Sequence, residues 1–115
     1  MPTYTDIKRY DLDPALLFKI AKQTLVELCW VIKRESGKIL VADLPKTTIS
    51  PGAVFTVTVL YGYIKLYCKT ERLSIGNMEN VMIVDRFVKF LDQNIAEVSK
   101  DQLKSIKESQ NLSFK

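Results

Sequence analysis

The spacing of apolar positions along this chain changes period twice, and each change marks a new kind of element. Leu17, Ile20, Ala21, Thr24, Leu25 and Leu28 recur at steps of three and four, with Lys19, Lys22, Gln23 and Glu27 between them. That is one face of an amphipathic helix of about 15 residues. Asp13-Pro14 starts it well: the carboxylate accepts from orphan backbone N–H groups, and proline has no N–H to orphan. Near Cys29 the period falls to two. Trp30 to Glu35 and Lys38 to Asp43 are β-rich runs around Ser36-Gly37, a two-residue hairpin turn. Pro45 to Gly52 is a loop, because its two prolines and its glycine do not suit a central strand.

A second hairpin follows, Ala53 to Leu60 and Tyr63 to Thr70, joined at Tyr61-Gly62, where glycine supplies the positive φ of a tight turn. Phe55, Val57 and Val59 match Ile64, Leu66 and Cys68 as the buried parity. Thr56 and Thr58 match Lys65 and Tyr67 as the exposed one. The longer period returns after a loop over Glu71 to Gly76, with Asn77 as N-cap and Val81, Val84, Phe87, Val88, Leu91 and Ile95 as the apolar stripe. Ser99 and Gln102 fit a capping box for a short third helix, whose buried side would be only Leu103 and Ile106. Residues Gln110 to Lys115 should fray. Residues 1–12 hold Tyr4, Ile7, Tyr10 and Leu12 among charges and read as an arm pinned by a few apolar contacts.

Helix, two hairpins, helix is therefore the expected order. A sheet with one apolar face must cover it, and two helices with single apolar stripes can do so. The predicted fold is a two-layer α+β sandwich: a four-stranded antiparallel meander with both helices on one face. It forms a single domain over 1–115, with its core at about 13–98 and a weakly docked segment at 99–115.

At 115 residues, 47% apolar and 26% charged, the chain fits one soluble globular domain. Its longest apolar run, Val54 to Tyr61, is too short to span a bilayer, and the N-terminus does not read as a secretory signal. Two cysteines without a C-x-x-C pattern indicate neither a disulfide framework nor zinc, so a reducing cytoplasm is the expected compartment. The net charge of +4 permits an anionic partner.

Histidine is absent, which removes Ser-His-Asp and Cys-His arrangements and most transition-metal sites. No glycine-rich phosphate loop is present. Acidic residues lie mostly on outer helix faces, Asp43 before Pro45 reads as a turn former, and Cys29 and Cys68 read as small buried hydrophobes. The expectation is a protein that is not an enzyme and uses no cofactor and no metal.

What remains is Tyr63, Lys65, Tyr67 and Lys69, alternating along one strand. Rings and ammonium groups on an exposed sheet can stack bases and hold phosphates. The same residues suit an ordinary wet strand, and lysines guard an edge strand, which this strand is in a four-stranded meander. The RNP-type signature is missing. So is the lysine cluster with which the double-stranded-RNA module begins its second helix, since Asn77-Met78-Glu79-Asn80 carries no cation. In the first hairpin Trp30, Ile32, Ile39 and Val41 share one parity. If they face the helices, Val31, Leu40, Ala42 and Leu44 leave an apolar strip on the open side, which reads as a protein-contact surface. The expected function is thus a non-catalytic binding or assembly module acting through protein contacts, self-association being the simplest case. Single-stranded nucleic-acid binding is the alternative. The candidate face is Lys33, Leu40, Tyr63, Lys65, Tyr67 and Lys69.

Leu28-x-Trp30-Val31-Ile32, the K-I-L-V-A strand, S-P-G before the third strand and I-G-N-x-x-N-V before the last helix together resemble a small bacterial domain. Its plan is α-β-β-β-β-α, alone or joined to membrane segments, over roughly residues 15–95. The chain departs from it at Pro51-Gly52, where a larger pair is usual, and in having no membrane segment. The resemblance implies a fold and no activity.

Overall fold

The computed structural model describes residues 3–45, 52–70 and 78–113, without the side chains of 99–113. Seven elements follow in order: β1 (Thr3–Arg9), α1 (Pro14–Glu27), β2 (Val31–Glu35), β3 (Ile39–Leu44), β4 (Ala53–Leu60), β5 (Tyr63–Thr70) and α2 (Met78–Ser113). All strand pairs are antiparallel, and the sheet order is β1-β5-β4-β3-β2. The α+β class, the antiparallel sheet and the two helices are as the periodicity predicts. The strand count is five rather than four.

The extra strand is the segment expected to be an arm. Thr3 to Arg9 pairs with β5 from Thr3↔Lys69 to Arg9↔Tyr63. Its period of two was hidden because two of its helix-facing positions hold charges instead of apolar residues. Tyr4 and Tyr10 pack against the core, but Asp6 and Lys8 between them form an ion pair at 3.7 Å. Inward-pointing charge on an outermost strand discourages pairing with another chain. The topological consequence is that β5 is interior and not an edge.

Helix α1 begins as its sequence dictates. Leu16 N–H donates to the Asp13 carboxylate at 3.3 Å and Pro14 takes the first helical position. Its end was not legible. Cys29 N–H donates to the Val26 carbonyl and Trp30 N–H to the Leu25 carbonyl, and Cys29 sits at φ 62°. This is a Schellman motif with cysteine in the left-handed position usually held by glycine. Cys29 is consequently exposed, contrary to the buried hydrophobe expected, while Cys68 is fully buried. The turn delivers Trp30 into the core. There it packs edge-on to Phe55 at 5.3 Å and lies 6.4 Å from Phe87, which meets Phe55 at 4.9 Å.

Between β2 and β3, Ser36 and Ile39 exchange backbone hydrogen bonds, so the two-residue loop is Gly37-Lys38, one position later than expected. A bulge between Ile32 and Arg34 then flips the register, so Ile32 pairs with Ala42. A one-residue slip exchanges the two faces of a strand. Trp30 and Ile32 therefore share the inner face with Leu40, Ala42 and Leu44, and not with Ile39 and Val41 as the simple alternation implied. The second hairpin has the expected register, with Phe55↔Cys68, Val57↔Leu66 and Val59↔Ile64 on the buried parity.

Helix α1 lies over β4 and β2, and α2 over β5 and β1. Val84, Phe87 and Leu91 are the fully buried stripe of α2. Asn94 ties the two helices together, donating to Thr24 Oγ1 at 2.9 Å and to Glu27 Oε2 at 3.1 Å. The backbone of α2 runs unbroken through Ser99, so no third helix starts there and Ser99-Gln102 is not a capping box. Docking of Leu103 and Ile106, the Asn77 cap, the loops over 46–51 and 71–76, and the last two residues lie outside what is described.

Candidate functional site: the open face of the sheet

Both helices lie against one side of the sheet. The register places the other side residue by residue, in rows that run across the strands. Ile7, Lys65, Thr58 and Ile39 form one row, and Thr5, Tyr67, Thr56, Val41 and Arg34 the next. Thr3, Lys69, Val54, Asp43 and Val31 form a third, and Arg9, Tyr63 and Leu60 a short fourth. Four of the six candidate residues lie on this face as expected: Tyr63, Lys65 and Lys69 are exposed and Tyr67 is half-buried. Lys33 joins them from the bulge, its ammonium 2.8 Å from Asp43. That contact holds the lysine above its ordinary pKa. Leu40 does not belong to the set. It is fully buried on the opposite face, because the bulge assigns it to the core.

Sequence reasoning missed the contributions of β1 and β2. Arg9 and Ile7 come from the supposed arm, and Arg34 lies on the open face while Ile32 lies on the inner one only because the register shifts between them. The only signal for β1 was the β-favouring T-Y-T and Ile7; charges at the inner positions Asp6 and Lys8 and an apolar residue at the outer position Ile7 removed the alternation.

Among the described residues the face carries five cations, Arg9, Lys33, Arg34, Lys65 and Lys69, against one acid, Asp43. Counted over the described residues, its formal charge is +4. Among the described residues only Lys33 of these five has an acidic partner. Aliphatic side chains flank the charges: Ile7 and Val31 are each 57% exposed and Ile39 38%. At the ends of β2 to β4 a cleft of about 310 Å³ opens beside the Lys33–Asp43 pair, lined also by Val31, Leu44, Pro45 and Ala53.

Interior position matters for how β5 is read. Lys65 and Lys69 were explicable as guards of an unpaired edge, but β1 occupies that edge. The real edges are blunted by other means, β1 by Asp6 and Lys8 and β2 by its bulge. The lysines of β5 therefore stand within the face, and edge protection does not account for them.

Away from this face, packing shifts two titratable groups. Tyr10 donates to Asp92 at 2.8 Å, and burial together with that carboxylate raises its phenol well above the usual range. Burial pushes the Cys68 thiol up to about 12, which leaves no thiolate at neutral pH. Among the described residues no group of three or more Cys, Asp or Glu side chains is placed to hold a metal ion. No described helix is long and apolar enough to cross a membrane.

No family model and no curated protein matches the chain. Among solved structures it is similar to the crystal structure of Ara h 8.0201, with a TM-score of 0.43 and 12% identity over 83% of this chain and 98% of that one. That degree of likeness carries no functional argument.

Proposed function

We propose that the protein is a non-catalytic binding module that takes a protein partner on the open face of its sheet. The observation that carries this reading is the composition of that face: exposed Ile7, Val31 and Ile39 beside four cations with no acidic partner among the described residues. Isolated exposed aliphatics are ordinary. Here three are spread over one sheet face, four of whose cations have no acidic partner among the described residues, which suits a contact surface with polar and apolar parts. Because both sheet edges are blunted, the partner docks on the face and does not extend the sheet. Two copies meeting face to face would oppose the same unpaired cations, which turns the reading from self-association toward a different protein. Two free cysteines, one of them exposed, suit a reducing, cytoplasmic setting.

Single-stranded nucleic acid is the second reading, favoured by one observation: Tyr63, Lys65, Tyr67 and Lys69 stand on an interior strand. Both readings place the contact on the same face, and one experiment in cells addresses it. A photo-crosslinking residue is introduced at Thr58 or Ile39 on the sheet, or at exposed Lys19 or Lys89 on the helices. Crosslinks to protein from the sheet positions alone are expected. Crosslinks from the helix positions alone, or none from the sheet, would remove the reading.

A further inference from the structure

The face also indicates what kind of surface would fit it. We infer that the partner is an acidic protein segment carrying apolar side chains, its carboxylates set over Arg9, Arg34, Lys65 and Lys69 and an apolar side chain in the cleft beside Val31. This rests on the reading of the open face as a protein-contact surface.

Charge complementarity is the first ground. Lys65 and Lys69 lie on β5, Arg9 on β1 at one margin, and Arg34 on β2 at the other, so positive charge stands at both margins and on β5, with β3 and β4 contributing none. Asp43, the one acid on the face among the described residues, is already engaged by Lys33. A neutral or basic partner would leave these cations desolvated and unpaired, whereas carboxylates pair with them and speed encounter.

The second ground separates an acidic protein from other anions. A phosphate backbone gains little from the aliphatic part of the face. Base stacking needs successive free ring faces, yet of the two rings on this strand Tyr67 is half-buried, in a row shared with Thr5 and Thr56. An anionic bilayer would be met by a sheet face whose centre is Thr56 and Thr58, without an apolar wedge to insert. The cleft is lined by Val31, Leu44, Pro45 and Ala53 beside the Lys33–Asp43 pair, a setting for an aliphatic or aromatic anchor with a polar tip.

The test is a set of titrations of the full chain with four probes at matched salt: poly-glutamate, a random glutamate–tyrosine copolymer, oligothymidylate, and vesicles containing phosphatidylserine. The inference predicts that the copolymer binds most tightly and that added salt weakens it. Lys65→Glu with Lys69→Glu should weaken both polypeptides by roughly tenfold. Val31→Asp should weaken the copolymer and remove most of its advantage over poly-glutamate. Circular dichroism establishes that each variant is folded. Tighter binding of oligothymidylate, lost in Tyr63→Ala with Tyr67→Ala, would overturn the inference in favour of nucleic acid. Preference for vesicles would overturn it in favour of a membrane, and binding of none of the four would overturn it outright. The crosslinking experiment keeps the two proposals apart. Crosslinks from Thr58 to a neutral or basic segment would sink the acidic partner and leave the binding module standing, whereas no crosslink from the sheet would sink the module itself.

Discussion

The two faces of this sheet are made from the same strands and share almost no chemistry. On the inner face Phe55, Val57, Ile64, Leu66 and Cys68 are all fully buried, and α1 and α2 cover them. One residue along in each case, the outer face presents Thr56, Thr58, Tyr63, Lys65 and Lys69. Alternation at a period of two separates them, so a position's face is set by register and not by local propensity. Packing constrains the inner set tightly, and only solvent or a partner constrains the outer one.

The largest effect that would test this contrast is at the aromatic cluster. Phe55→Ala should cost about 3–5 kcal/mol, since the ring is lost from between Trp30 and Phe87 with a cavity left behind. Its neighbour Thr56→Ala should stay within about 0.5 kcal/mol. Urea denaturation of both variants would show the pair; similar costs would break the two-face account.

The cysteines sharpen it next. Cys68 is neutral in the folded protein, and burial raises its pKa from 9.0 to about 12. A raised acid pKa stabilises fully below the unfolded value, and that contribution is lost as pH rises through the window from 9.0 toward 12. Stability should therefore fall in that window, and fall less in Cys68→Ala. At neutral pH iodoacetamide should modify Cys29 in the native protein and Cys68 only after unfolding, as mass spectrometry would show.

A smaller effect concerns the exit from α1. Cys29 holds φ 62° without burial, so Cys29→Gly should stabilise by about 1 kcal/mol, read as a rise in the urea midpoint. Smallest of all, Lys65→Glu with Lys69→Glu should change stability by about 0.5 kcal/mol or less, while moving any partner affinity far more.

Much of the fold was legible because most elements follow one period. Helix α1 with its Asp13 cap, the hairpin over 53–70 and the stripe of α2 all carry unbroken patterns. What was hidden departs from pattern for a physical reason. Strand β1 places Asp6 and Lys8 where apolar residues would have announced it. The bulge at Lys33 reverses which residues of β2 and β3 share a face, and this moved Leu40 from a candidate surface into the core. Cys29 sits where glycine would have signalled the helix end. The candidate face was half visible: its β5 row could be read directly, but Arg9, Ile7 and Arg34 join it only through pairings that are long-range or irregular.

The central claim is that β1 makes β5 an interior strand, and so turns the Tyr63–Lys69 row from a guarded edge into part of a face. Residue-resolved amide hydrogen exchange tests it most directly. An interior antiparallel strand donates alternately to both neighbours, so every amide from Ile64 to Cys68 should exchange slowly, near the rate set by global unfolding. If every second amide in that stretch exchanged at the rate of a loop, β1 would not be paired there and the claim would be wrong.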